Sequence, residues 1–494
     1  MLPLDLPIEP PPRPVEISVS YETFKLPPVD NQPAGSVGTV GVSYRQELAP
    51  NWLGGIAMYG AATGRRDGFL AWGLTGAYQQ SWGAWTGEAG LFVGGGGGGP
   101  LWTGGGLMLR PHAEMSYFWG DVGLGLGVSR INFPDGKDGG SHVYGTFKWR
   151  TSGLFGPAGG GAVDFSEALA ARALPVEYAA MGGSYRMRNG PPAKSGLGNS
   201  GDMHYAGFAY RRGLGRAGPE IEPYALFSLV GSAGGGYEGY AEAMAGAGLQ
   251  WRPAALPALR LRAEAAAGVG GAGFSVDTGG GLVAKLNAGA SWALRPDLAL
   301  GVMAGTLESR GNFKARDLRL ELAFTGWEVV PGAQPVPGRG PQSLTWWPWE
   351  ASAGLVHQAR MPRTDGSVQS MDVLALRFAR GLGAGWQVIG QTATAVHGGA
   401  GGYASGIFGA GWMSVPLAGD LRLGGSAMLG AAGGGLVDVA GGAVWQAQAQ
   451  ARYPLNRDWS LQAEAGVLRS WKAGVSTPVL GLNAVYSFSR REGR

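Results

Sequence analysis

Apolar and polar residues alternate along most of this chain with a period of two. From Trp459 the sequence reads WSLQAEAGV, placing Trp459, Leu461, Ala463, Ala465 and Val467 on one face and Ser460, Gln462, Glu464 and Gly466 on the other. WQAQAQARY from Trp445, LRLRAEA from Leu259 and LRLELAF from Leu318 alternate in the same way. A helix would scatter those apolar residues around its whole circumference, so the pattern predicts strands. Glycine and proline clusters punctuate the strands roughly every ten to twelve residues. In the last third of the chain, strands are predicted to begin near Trp349, Val373, Trp386, Tyr403, Leu421, Ala443, Trp459 and Thr477.

The same landmarks recur in one order through the chain. LFVGGGGGGPLWTGGGL (Leu91 to Leu107) has relatives in GVGGAGFSVDTGGGLV from Gly268 and GAAGGGLVDVAGGAV from Gly430. Upstream of each lie GFLAWGLTGAY, GYAEAMAGAGLQW and GYASGIFGAGW, and downstream comes a short turn with Asp121, Asp297 or Asp458. Pro14-Val15-Glu16, Pro175-Val176-Glu177 and Pro348-Trp349-Glu350 open the copies, followed by Lys25, Arg186 and Arg360, then by YRQEL, YRRGL and FARGL. Repeats of this kind define the architecture before any single motif does. The boundaries follow: a Pro-rich lead-in over 1–14, β-repeats over 15–151, 175–326 and 348–488, linkers over 152–174 and 327–347, and a polar tail over 489–494. The first linker contains DFSEALAARAL, which predicts a short helix capped by Asp164 or Ser166. The second, VVPGAQPVPGRGPQ, reads as extended.

Each copy supplies about eight strands, so the chain predicts an all-β, antiparallel barrel protein of roughly 24 strands. The connections alternate between long polar ones, such as NGPPAKSGLGNSGDM, and short ones, such as LGAGW and LNRDW. Long loops on one side and short turns on the other suit a transmembrane barrel. The linkers allow either three small barrels or one large barrel with excursions at its turn side. A single wide barrel is the expectation, because a water-filled lumen needs many strands and eight leave room only for side chains. A soluble β-sandwich is the alternative to a membrane wall.

LGLNAVYSF, from Leu480 to Phe488, sets Leu480, Leu482, Ala484, Tyr486 and Phe488 on one face and ends on an aromatic. In this strand, and in its alternation throughout, the chain resembles the Gram-negative outer-membrane β-barrel proteins. SRREGR follows Phe488 where many such proteins end, and the chain as given shows no signal peptide. The resemblance implies the bacterial outer membrane, the lipid bilayer as surroundings and the barrel-assembly machinery as a partner in biogenesis. A periplasmic partner or an upstream domain is a further expectation.

Composition changes this picture little. The 494 residues include 93 glycines, 10% aromatics, 15% charged residues and no cysteine, with a formal net charge of +4. Thiolate chemistry and disulfides are excluded, and no Lys/Arg block suggests nucleic acid. G-x-G-x-x-G matches in the glycine stretches lack the following helix that a dinucleotide site needs. His112, His142, His204, His357 and His397 recur in no copy and show no metal spacing. No cofactor, metal or enzymatic activity is therefore expected.

Charge on the non-lipid face carries the functional expectation. Arg or Lys on a lipid-facing wall costs ~2–4 kcal/mol at the midplane, so Glu16, Lys25, Glu177, Arg186, Glu350 and Arg360 are expected to line a lumen. Arg211, Arg212 and Arg380 fall near the ends of second strands. Gly94, Gly99, Gly106, Gly270, Gly281, Gly433 and Gly442 mark three external hairpins that either narrow the lumen or stand as a rim. The expected function is a porin-like pore for passive diffusion, or an export conduit for a polymer, with no chemistry on the solute. The alternative is a structural or adhesive surface barrel whose external loops bind a partner.

Overall fold

The structure is a computed structural model that describes residues 13–26, 35–64, 68–99, 101–153, 155–156, 158, 161–162, 173–193, 201–215, 220–271, 275–329, 344–472 and 474–493. The helix expected from Asp164 lies outside these residues. Strand begets strand by local hairpins, and the first copy runs β1 (Arg13–Leu26), β2 (Gly35–Ala49), β3 (Trp52–Gly64), β4 (Leu70–Trp82), β5 (Trp85–Gly97), β6 (Leu107–Trp119), β7 (Val122–Asn132) and β8 (Gly139–Gly153). Two short linker strands, β9 (Phe155–Gly156) and β10 (Gly161–Ala162), follow. The second copy contains β11 (Ala173–Met187), β12 (Met203–Gly213), β13 (Ile221–Gly234), β14 (Ala241–Trp251), β15 (Leu259–Gly271), β16 (Leu282–Arg295), β17 (Leu298–Ser309) and β18 (Ala315–Val329). The third contains β19 (Leu344–Pro362), β20 (Val368–Gly383), β21 (Trp386–His397), β22 (Ala404–Met413), β23 (Arg422–Gly433), β24 (Ala443–Pro454), β25 (Trp459–Ser470) and β26 (Ser476–Gly493).

Each copy closes on itself. β1 pairs with β8 (Val19 opposite Phe147), β11 with β18 (Ala180 opposite Leu322) and β19 with β26 (Ala353 opposite Ala484). The expected single wide barrel is thus corrected to three eight-stranded barrels. Large residues on the inward faces explain the closure: an eight-stranded barrel is filled by its own side chains, and Phe24, Phe92, Tyr185 and Met428 fill these. The tail after Phe488 is also strand, because β26 runs on to pair with β9 at Ser489 and with β18 at Glu492. The first linker reaches barrel 3 rather than standing free: β9 extends β26 and β10 extends β19.

The barrels pack in a ring. β3 of barrel 1 lies on β15 of barrel 2, β13 of barrel 2 on β23 of barrel 3, and β21 of barrel 3 on β5 of barrel 1. Each contact sets the third strand of one barrel on the fifth of the next, a head-to-tail interface that closes after three units. The glycine stretches make that approach possible. A Cβ on Gly97 would lie 2.2 Å from Gly402 N, one on Gly433 2.3 Å from Gly239 N, and one on Gly60 2.3 Å from a Val269 methyl. Gly401 N–H donates to Gly104 O across the barrel 3–barrel 1 seam at 3.0 Å.

Outward faces away from the seams are apolar and exposed. Leu126 is 66% exposed, Val143 63% and Leu320 60%. Tryptophans ring the end that carries the short turns, among them Trp82, Trp119, Trp251, Trp292, Trp386 and Trp459. Contiguous apolar surface of this extent is far beyond what soluble monomers expose.

Candidate functional site

Polar chemistry collects inside the barrels. Along β1 the inward positions are Glu16, Ser18, Ser20, Glu22 and Phe24, running from the turn end to the loop end. Glu16 sits opposite Arg45 of β2 and pairs with it. The Arg45 guanidinium also donates to Glu88 at 2.6 Å, and Gln79 Nε2 donates to Glu88 at 2.7 Å and Glu16 at 3.1 Å. Lys148 completes the cluster, 2.7 Å from Glu88 and 2.8 Å from Glu114. Nearer the loops, Arg110 Nε donates to Glu22 at 3.0 Å, with Ser129 Oγ donating at 2.7 Å.

Barrel 2 repeats the opening move and extends it. Glu177 sits opposite Arg211, whose guanidinium donates to Glu177 at 2.8 Å, Glu264 at 2.6 Å and Glu321 at 2.7 Å. Arg262 donates to Glu177 at 2.8 Å and Arg319 to Glu321 at 2.7 Å, so the carboxylates are bridged. Closer to the loops, Lys285 pairs with Glu242, Tyr240 donates to Glu242, and Tyr205 donates to Asp317. Buried ions lose several kcal/mol each on leaving water unless paired. Mutual pairing is what makes these interiors tenable.

Barrel 3 is built mostly of amides. Arg377 donates to Glu464 at 2.9 Å and Gln391 at 2.6 Å, and Gln448 Nε2 donates to Glu464 at 2.9 Å. Glu350 faces Ala379 rather than an arginine, and Arg452 supplies its partner at 2.9 Å while donating to Gln462 at 3.0 Å. A small polar cavity remains at the turn end between Glu350, Arg377, Gln387, Gln450 and Arg452. Barrel 1 keeps another between Ser18, Arg45, Glu88, Arg110 and Lys148.

Above the polar layers, each mouth is stopped by apolar side chains. Phe24, Phe69, Phe92, Met108, Ile131 and Phe133 plug barrel 1. Tyr185, Tyr237, Tyr240, Val276 and Phe313 plug barrel 2, and Met361, Tyr403, Val437, Val439 and Val475 plug barrel 3. Several plug residues, including Phe133, Val276 and Val437, come from the connecting loops, which therefore fold inward.

The residues expected to line a lumen divide by strand parity. Glu16, Glu177 and Glu350 face the interiors. Lys25 and Arg186 do not: each stands nine residues after its glutamate, an odd interval that puts it on the opposite face. Arg360 is ten residues on, but a register shift between Gln358 and Met361 turns it outward too. All three are exposed at the loop end. The partners are Arg45 for Glu16 and Arg211 for Glu177, both within the YR landmarks, and Arg452 of the sixth strand for Glu350; cross-strand register was the missing signal. Arg212 turns outward to Glu328 at 3.1 Å, and Arg380 stacks over Trp347 at 4.4 Å.

The marked glycines serve the seams and loop ends. A Cβ on Gly106 would meet Ala395 O of barrel 3 at 2.4 Å, and one on Gly442 would meet Ser232 O of barrel 2 at 2.4 Å. Gly281, at φ +104°, would meet Ala61 O of barrel 1 at 1.9 Å. Gly94, Gly99, Gly270 and Gly433 lie within or just beyond the fifth strands, with Gly99 at φ +62°.

No protein-family model and no curated protein matches the chain. Among solved structures, it is similar to Pseudomonas aeruginosa OccK10 (OpdN), at 9% identity over 97% of this chain and 99% of that one, with a TM-score of 0.23. It is also similar to the outer membrane protein opdK from Pseudomonas aeruginosa, at 11% identity over 97% and 99% of the two chains, with a TM-score of 0.22. Pseudomonas putida OprB aligns at 10% identity over 64% of this chain and 94% of its own, with a TM-score of 0.24. Similarity at this level does not define a shared three-dimensional arrangement.

Proposed function

We propose that the chain is an integral outer-membrane protein, a fused ring of three closed barrels that acts as a rigid scaffold and presents its external loops, with no wide lumen. The apolar outward faces and the tryptophan girdle support the membrane setting, because a spanning sheet must close so that no backbone group is left unpaired in lipid. The loop end is then external and the turn end periplasmic, and the lipid bilayer and the barrel-assembly machinery are the partners this setting brings. The observation that carries the scaffold reading is the filling of each barrel, with ion pairs below and an apolar plug above. No chemistry on a solute is part of the proposal.

A second reading, passive passage of very small polar solutes, draws support from the polar cavities of barrels 1 and 3, each with room for about one or two waters. Planar-bilayer recording separates the two. The scaffold reading predicts an inserted protein with no steady single-channel steps. Small steps in up to three levels would favour narrow passage through the barrels. Large steps in one level would overturn the closed-barrel reading.

A further inference from the structure

Lys25, Arg186 and Arg360 recur in the sequence, yet they take no part in the interior networks. Each is exposed on the outward face at the loop end, and each has a second basic residue beside it at the same level. In barrel 2, Arg186 stands directly opposite Arg316 across β11 and β18. In barrel 1, Arg130 of β7 lies opposite Ser141 of β8. The β1–β8 register, which pairs Glu22 with Tyr144, brings Lys25 level with Ser141 on its other side when continued by three residues. In barrel 3, Arg469 of β25 lies opposite Ser476 of β26, and the backbone N–H of Arg360 donates to Thr477 Oγ1 at 2.9 Å. The same trio of strands, the seventh, eighth and first, therefore carries a basic pair in every barrel.

Like charges facing each other on a sheet are destabilising unless something of opposite sign lies between them. Among the described residues, only Arg186 of these six has a carboxylate within salt-bridge reach, Asp202 at 3.5 Å. Their strands lie one or two positions apart, at ~4.8 Å per strand, so two long side chains can reach one anion, Arg469 by swinging from its place over the Trp445 ring at 5.9 Å. Position along the wall identifies the anion. Arg130 and Arg316 stand two residues from exposed Val128 and Leu318 of the apolar belt, a step of about 7 Å along a strand. The third-on-fifth-strand contacts between barrels do not involve these strands, and the eighth strands of barrels 2 and 3 meet at the turn end, at Trp327 and Glu328, away from the basic pairs.

We propose that these three basic pairs, Lys25/Arg130, Arg186/Arg316 and Arg360/Arg469, bind the phosphate groups of outer-leaflet glycolipids, one lipid per barrel. The proposal rests on the membrane reading above. Each phosphate would accept charge-assisted hydrogen bonds from both members of a pair while its acyl chains cover the belt below.

The test uses the full chain reconstituted in phosphatidylcholine vesicles containing either bisphosphorylated lipid A or its dephosphorylated form. Flotation reports insertion, and native mass spectrometry counts retained glycolipid. The expected result is up to three bisphosphorylated lipids per chain and no retention of the dephosphorylated form. Lys25→Gln/Arg130→Gln, Arg186→Gln/Arg316→Gln and Arg360→Gln/Arg469→Gln should each weaken one site by at least about tenfold. Arg130→Lys and Arg316→Lys, which keep the charge, should retain their lipid and confirm that the fold is intact. Equal retention of both lipid forms, or undiminished retention after all six Gln substitutions, overturns the proposal. Displacement of the lipid by inorganic phosphate alone would reassign the pairs to the free anion and also overturn it. A chain that floats but shows no phosphate preference leaves the membrane reading standing, whereas a chain that stays out of the vesicles removes that reading and the proposal together.

Discussion

In barrel 2 the guanidinium of Arg211 holds Glu177, Glu264 and Glu321 at once, and Arg262 and Arg319 bridge the same carboxylates. In barrel 3 the corresponding place, opposite Glu350, is Ala379, and Arg377 two residues earlier holds one carboxylate, Glu464, while Gln391 and Gln448 complete the layer. The walls follow the same eight-strand plan, so the difference lies in what fills them. A charged interior is an all-or-none arrangement, since removing one ion leaves its partners buried and uncompensated. An amide interior degrades by single hydrogen bonds, each worth ~1 kcal/mol net. The two barrels should therefore tolerate equivalent damage very unequally.

The largest expected effect tests that inequality. Arg211→Met should destabilise barrel 2 by about 3–5 kcal/mol, read as a lowered urea midpoint for loss of the heat-resistant folded band. Gln448→Met should cost barrel 3 only about 1–2 kcal/mol, because Arg377 still pairs with Glu464 at 2.9 Å and only amide hydrogen bonds are lost. Equal losses would erase the distinction between the two interiors.

A seam substitution gives the reference in which both barrels suffer alike. Gly442, at φ +93°, lies in barrel 3 with its Cβ direction 2.4 Å from Ser232 O of barrel 2. Gly442→Ala should cost ~1–3 kcal/mol through backbone strain and the clash. Hydrogen exchange should rise on both sides of that seam and not inside either barrel.

The smallest effect lies in a barrel 3 loop. The Ser367 hydroxyl and backbone N–H donate to the Asp365 carboxylate and hold its pKa below the usual value. A lowered folded-state pKa stabilises the turn above the ordinary carboxylate range and loses that help as pH falls through the lowered value. Protection of the Ser367 amide, relative to its intrinsic exchange rate at each pH, should therefore be steady at neutral pH and fall only in acid. Asp365→Asn should abolish the acid step without touching the interior of either barrel.

Much of this fold is legible in the sequence because a hairpin is a local object. Alternation and turn residues place strands such as Trp386, Ala443 and Trp459 at their observed starts, and the recurring landmarks mark three copies. Closure is not local. One wide barrel and three small ones share nearly every hairpin and differ in the pairings of β1 with β8, β11 with β18 and β19 with β26. The site was half legible for a similar reason. Of the residues expected to line a lumen, Glu16, Glu177 and Glu350 point into filled barrels, whereas Lys25 and Arg186 fall on the outer face because nine residues, an odd interval, separate each from its glutamate. Arg45 and Arg211 become visible as partners only once the register of the second strand is known.

The absence of cysteine makes closure directly testable. Val19→Cys with Phe147→Cys, Ala180→Cys with Leu322→Cys, and Ala353→Cys with Ala484→Cys each place two thiols on opposed residues of a closing strand pair. Opposed strand residues lie ~4.5–5.5 Å apart, inside the range a disulfide spans. Three closed barrels predict that all three variants oxidise to intramolecular links in the inserted protein, seen as reduction-sensitive mobility shifts. Failure of these links, together with ready crosslinking of β8 to β11 and β18 to β19, would show one continuous wall and contradict the closed-barrel structure.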